Sequence, residues 1–166
     1  ENINYNNEMS LFYNYILMNN PTLLDYIGQM SISYFLLINL LLSIVYKNNL
    51  FLLIVISDIL SELLNILLKG IIQEPRPKNQ IKFNNHKASY YGMPSGHAQN
   101  ATFQSLILCY QLNNIYSYIF SLLVCILTFY QRYKYRRHTL SQIFFGGLTG
   151  LLFGYFSLNT LLPLMT

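Results

Sequence analysis

Charge is scarce in this chain: ten Lys and Arg and six Asp and Glu make up 10% of 166 residues, where a soluble domain carries roughly 25%. That scarcity argues against a soluble globular domain. The net charge of +4 comes from ten cations scattered over connecting segments, too few and too dispersed for a nucleic-acid surface. Cysteine is nearly absent, and Cys109 and Cys125 lie inside apolar runs at no metal or redox spacing, so both read as packed thiols. The first twenty residues lack the basic start and small-residue cleavage site of a signal peptide. No internal repeat or composition break divides the chain.

What fills the sequence is hydrophobicity, 53% of residues, bunched into runs long enough to cross a bilayer, which takes about 20 helical residues. Five candidate spans follow a tail or interfacial helix at 1–24: Met30–Tyr46, Leu50–Leu68, His97–Leu112, Ile115–Tyr130 and Thr139–Leu162. The expected fold is an all-α integral membrane bundle of about five transmembrane helices, with residues 25–166 as one domain. Short links such as Asn113-Asn114 alternate with informative loops at 70–96 and 131–138. In an antiparallel bundle alternate loops share a face, so those two meet on one side of the membrane. The shortness of several spans suits a thin bilayer such as that of the endoplasmic reticulum.

The second span ends at Lys69-Gly70, where glycine is a natural stop, and Pro75 and Pro77 hold the following loop extended. Pro94-Ser95-Gly96-His97 then opens a helix, so a hydroxyl, a small residue and free N–H groups converge where an anion binds. The later loop supplies Arg132 and His138. One membrane face thus collects Lys69, Arg76, Ser95, His97, Arg132 and His138, a set suited to a phosphate and to phosphoryl transfer. His86 has no such company. Lys134, Arg136 and Arg137 read as cations that sit at lipid headgroups or steer an anionic substrate rather than do chemistry. Asp58, Glu62, Asn65 and Lys69 share one helical face, which must point to partners or a cavity. Gln142, Gly146, Gly150 and Gly154 form a small-residue face for close helix packing.

Lys69 with Arg76-Pro77, Pro94-Ser95-Gly96-His97, and Arg132 with His138 together resemble the three-part signature of the type 2 phosphatidic acid phosphatase superfamily. The flanks Gln73–Pro77, Tyr91–His97, His138–Gln142 and Gly146-Gly147 are similar to those of its dolichyl diphosphate branch. The resemblance implies a membrane hydrolase that removes the terminal phosphate of a polyprenyl diphosphate. It implies His138 as the nucleophile that becomes a phosphohistidine and His97 as the acid for the leaving oxygen. Lys69, Arg76, Ser95, Gly96 and Arg132 would hold the phosphate, with no metal or other cofactor implied. The superfamily places Asp four residues after its nucleophile; here Gln142 stands there, able to orient the ring but not to charge-stabilise it. Gly96 replaces the second serine of the dolichyl form.

Two further readings stay open: a broader lipid phosphatase acting on phosphatidic acid or short prenyl diphosphates, and a silent phosphate-binding membrane protein. The implied partners are a lipid phosphate and the membrane, with oligomeric state undetermined. Orientation is contested as well. Lys78, Lys82, Lys87, Lys134, Arg136 and Arg137 against Lys47 place the catalytic face in the cytosol, whereas the resemblance implies the lumen.

Overall fold

The computed structural model describes residues 21–46, 50–81, 89–161 and 163. Five helices follow one another: α1 (Leu23–Val45), α2 (Leu50–Ile72), α3 (Gly96–Leu112), α4 (Ile115–Lys134) and α5 (Leu140–Phe156), the last prolonged by a π-helical turn at Ser157–Leu161. The expected tail or interfacial helix lies, up to residue 20, outside the described residues, as do Lys82, His86 and Lys87.

The first helix begins seven residues before the expected Met30. Thr22 and Asp25 form a capping box, with Thr22 Oγ1 accepting from the Asp25 N–H at 3.3 Å and Asp25 Oδ2 accepting from the Thr22 N–H at 2.8 Å. The polar start is then held against α4. Asp25 is buried and accepts from Lys134 Nζ at 2.7 Å and from the Tyr135 hydroxyl at 3.1 Å. Gly28 lets the two backbones meet, since a Cβ there would lie 2.6 Å from the Leu127 carbonyl oxygen. Lys134 is therefore an anchor between helices rather than a headgroup ligand.

Among the described residues four helical stretches are long and apolar enough to cross a membrane: Leu23–Val45, Leu50–Ile72, Ile115–Lys134 and Leu140–Leu161. α3 is the fifth helix, and it differs in kind. Its 17 residues span about 25 Å at roughly 1.5 Å each, and it touches all four others. Enclosed by protein, it needs no apolar exterior and carries side chains that would be costly against lipid. Gln104 Nε2 donates to Asp58 Oδ1 at 2.8 Å, Asn39 Nδ2 donates to Gln104 Oε1 at 2.8 Å, and Gln99 Nε2 donates to the Ser61 carbonyl at 2.7 Å. Each buried amide thus finds a partner on a neighbouring helix. Leu53, Ile54, Phe103 and Ile107 pack around this polar seam as the apolar core, while Leu63, Leu67, Leu122 and Phe144 face outward.

The small-residue face of α5 packs on α3 as its spacing suggests. A Cβ on Gly146 would sit 2.5 Å from the Ser95 carbonyl oxygen, and one on Gly150 would overlap the Gln99 carbonyl, so the two helices meet backbone to backbone. Gly70 is not the stop of α2. The helix runs through it to Ile72 and ends where Gln73 takes a left-handed conformation with φ 52°, just before Pro75, which disfavours helix in the residue ahead of it.

The described parts of both informative loops lie at one end of the bundle. Chain Glu74–Arg76 pairs antiparallel with Tyr90–Gly92, the Gly92 N–H donating to the Glu74 carbonyl at 2.8 Å. The Ser95 N–H donates to the Gln142 carbonyl at 3.0 Å, tying the start of α3 to α5.

Candidate active site

His138 precedes α5, whose start is fixed by a second capping box between Thr139 and Gln142. Its ring is 3% exposed. Nδ1 lies 2.9 Å from the Gly92 carbonyl oxygen and 3.2 Å from Gln142 Oε1, and Nε2 lies 2.8 Å from Arg76 Nη1. Two acceptors on one nitrogen and a guanidinium donor on the other define the tautomer: Nδ1 carries the proton and Nε2 keeps its lone pair. The Gln142 amide cannot be turned round, because its Nε2 faces two acceptors, Glu74 Oε1 at 2.8 Å and the Pro75 carbonyl at 2.9 Å.

Beside that lone pair is a cavity of about 400 Å³ lined by Glu62, Asn65, Lys69, Arg76, Gly96, His97, Arg132 and Arg137, among others. Four cations converge on it against one carboxylate, Glu62. Arg76 is fixed by Ser89, with Nε donating to its carbonyl at 2.8 Å, and by the Arg137 carbonyl, which accepts from Nη1 at 2.9 Å. Burial, then the positive charge of Arg137, pushes the Arg76 guanidinium down to about 10. Burial lowers Arg137 as well. For His138, burial and then the charges of Arg76, Arg132 and Lys69 outweigh the bond from Gln142 and push the imidazole down to about 2. Mutually repelling cations around a neutral imidazole form a site built for an anion. A larger recess of about 730 Å³ is lined by Tyr130, Tyr133, Arg136 and Leu140, and also by His138.

The structure brings Lys69, Arg76, Gly96, His97, Arg132 and His138 to one cavity and sets Gln142 against His138. Ser95 is placed differently: fully buried, its hydroxyl caps α3 by accepting from the Ala98 N–H at 3.5 Å, and it is not among the cavity-lining residues. Arg137, read from sequence as a cation for lipid headgroups or for steering an anion, is the fourth cation of the cavity, 7% exposed and with Nε unpartnered. Gln29 of α1 gave no signal in the sequence. Its Oε1 accepts from Arg132 Nη2 and from Gln131 Nε2 at 3.3 Å, which leaves its Nε2 3.5 Å from His97 Nε2.

This combination, a polar helix inside a membrane bundle with a cation-lined pocket at one end, defines the class: a multi-pass membrane protein with an embedded anion site. The PAP2 superfamily profile matches residues 31–164, and the chain belongs to that superfamily. Among curated proteins it is similar to human (Homo sapiens) dolichyldiphosphatase 1, 35% identical over 109 residues covering 55% of this chain and 44% of that one. The mouse (Mus musculus) dolichyldiphosphatase 1 is 32% identical over 135 residues, covering 70% and 55%. The chain thus spans about half the length of the curated relatives it matches. The fold is that of a transmembrane PAP2-type phosphatidylglycerolphosphate phosphatase from Bacillus subtilis, with TM-score 0.68, 18% identity, and coverage of 94% of this chain and 86% of that one.

Proposed function

We propose that this chain is a phosphohydrolase that removes the terminal phosphate of a polyprenyl diphosphate, with dolichyl diphosphate as substrate. The observation that carries the reading is the cavity itself: Lys69, Arg76, Arg132 and Arg137 surround space for an anion directly beside the Nε2 lone pair of His138. The similarity to dolichyldiphosphatase 1 supports the choice of lipid.

In the proposed reaction the terminal phosphate enters the cradle and Arg76 transfers its hydrogen bond from His138 to a phosphate oxygen. Nε2 attacks phosphorus, the bridging P–O bond breaks in line, and His97, protonated once the phosphate's negative charge fills the cradle, gives that proton to the departing dolichyl phosphate. The Gly92 carbonyl and Gln142 Oε1 hold the Nδ1 proton while positive charge develops on the ring. A water molecule then attacks the phosphohistidine, His97 takes its proton, and inorganic phosphate leaves with both histidines restored. The cradle stabilises the equatorial oxygens throughout. Regeneration of dolichyl phosphate would sustain N-glycosylation at the endoplasmic reticulum membrane.

Purified protein is assayed for phosphate release from dolichyl diphosphate, phosphatidic acid and a short prenyl diphosphate. Preference for dolichyl diphosphate, lost in His138→Ala together with an acid-labile phosphoprotein, is the expected result. Full turnover by His138→Ala overturns the mechanism, and equal rates on phosphatidic acid overturn the substrate.

A further inference from the structure

Both groups that hold the Nδ1 side of the His138 ring are themselves held by one residue that the motif reading left without a role. Glu74 lies just beyond α2. Its Oε1 accepts from Gln142 Nε2 at 2.8 Å, and Gln142 Oε1 in turn faces His138 Nδ1 at 3.2 Å. Its backbone carbonyl accepts from the Gly92 N–H at 2.8 Å, and the Gly92 carbonyl oxygen faces the same Nδ1 at 2.9 Å. Among the described residues no cation lies within 4 Å of the Glu74 carboxylate; the ion pair found there is Lys134–Asp25. The half-buried carboxylate accepts instead from the Gln142 amide.

We propose that Glu74 is a positioning residue for phosphoryl transfer, its carboxylate acting on His138 through the Gln142 amide. This rests on the reading of His138 as the nucleophile. An amide that donates to a carboxylate is polarised, and its oxygen becomes a stronger acceptor for the next donor in the chain. A neutral glutamine alone fixes the ring; backed by Glu74, it also brings negative charge to an imidazole that turns cationic as Nε2 bonds to phosphorus. Gly92 makes this relay compact. A Cβ there would overlap Gln142 Oε1 and lie 2.9 Å from Arg76 Cγ.

The test uses the full chain in lipid nanodiscs with a prenyl diphosphate. Glu74→Gln keeps the shape and an acceptor oxygen but removes the charge. We expect kcat to fall about tenfold or more, with KM and vanadate inhibition within about twofold, because the cradle cations are untouched. Gln142→Asp in the native background sets a second carboxylate near Glu74 and lowers kcat too. Combining Glu74→Gln with Gln142→Asp restores a single charge next to His138, and the double variant should exceed either single variant by about fivefold or more. Glu74→Gln within twofold of wild type, a double variant no better than the singles, or Glu74→Gln that no longer binds vanadate each overturns the inference. His138→Ala is run alongside. If it retains turnover, the proposed function fails; if it is inactive while Glu74→Gln is wild-type-like, only the role of Glu74 fails.

Discussion

His138 is uncharged before any substrate arrives, and that has a cost in acid. The folded protein keeps the ring neutral down to about pH 2, whereas the unfolded chain protonates it near its ordinary value of about 6.5. Between those values the unfolded state binds the extra proton, so stability falls as pH drops below about 6.5, by up to about 1.4 kcal/mol per unit. Melting temperatures should decline from neutral pH towards pH 5 more steeply for wild type than for His138→Gln, and parallel curves would contradict the assignment. Vanadate in the cradle offsets the charges of Arg76, Arg132 and Lys69, so it should flatten the wild-type decline. Much of the site was legible residue by residue, because Lys69, Arg76, Gly96, His97, Arg132 and His138 carry a charge or a conformational signature at fixed spacing. Gly92, Glu74 and Gln29 were not. Gly92 contributes a backbone carbonyl, which has no residue signature, and the partners of Glu74 and Gln29 lie 68 and 103 positions away. Arg137 was not told apart from Lys134 and Arg136, because one turn among four cations decides which of them faces inward, and sequence does not show the turn.

At the scale of elements, glycine has opposite meanings in α2 and α5. A Cβ on Gly70 meets nothing within 4 Å, so Gly70→Ala should raise stability by about 0.5–1 kcal/mol through helix propensity alone. Gly150→Ala drives its methyl into the Gln99 carbonyl and Thr102 Oγ1, parts α5 from α3, and should cost about 2 kcal/mol or more. Thermal unfolding in one detergent compares the two; a shift of equal sign for both would show that the α3–α5 contact is not as close as described. The five helices were foreseeable from hydrophobic runs and punctuation, and most boundaries fall within a few residues. The start of α1 was obscured because Asp25, Gly28 and Gln29 interrupt the apolar run of its first two turns, which are held by the Thr22 cap and by α4. Gly70 misled for the complementary reason: a helix tolerates one exposed glycine when the flanking residues are strong formers, and Pro75 supplies the later stop.

For the molecule as a whole, the four cations would, in the proposed reaction, occupy the role that a divalent ion plays in many phosphoryl-transfer sites. Phosphate release should therefore be unchanged in excess chelator, while vanadate, which adopts a trigonal-bipyramidal geometry, should inhibit. Activity lost in chelator and restored by magnesium would contradict this. The hydrogen bond from Arg76 to His138 Nε2 carries a separate consequence. In the proposed reaction that guanidinium covers the attacking nitrogen until a substrate draws it away. Only a ligand with negative oxygens can draw that guanidinium aside, so an uncharged electrophile of the right size meets a sheathed nucleophile. Discrimination between anions and neutral esters is thereby exercised twice, first in who is admitted and again in whether the histidine is bared.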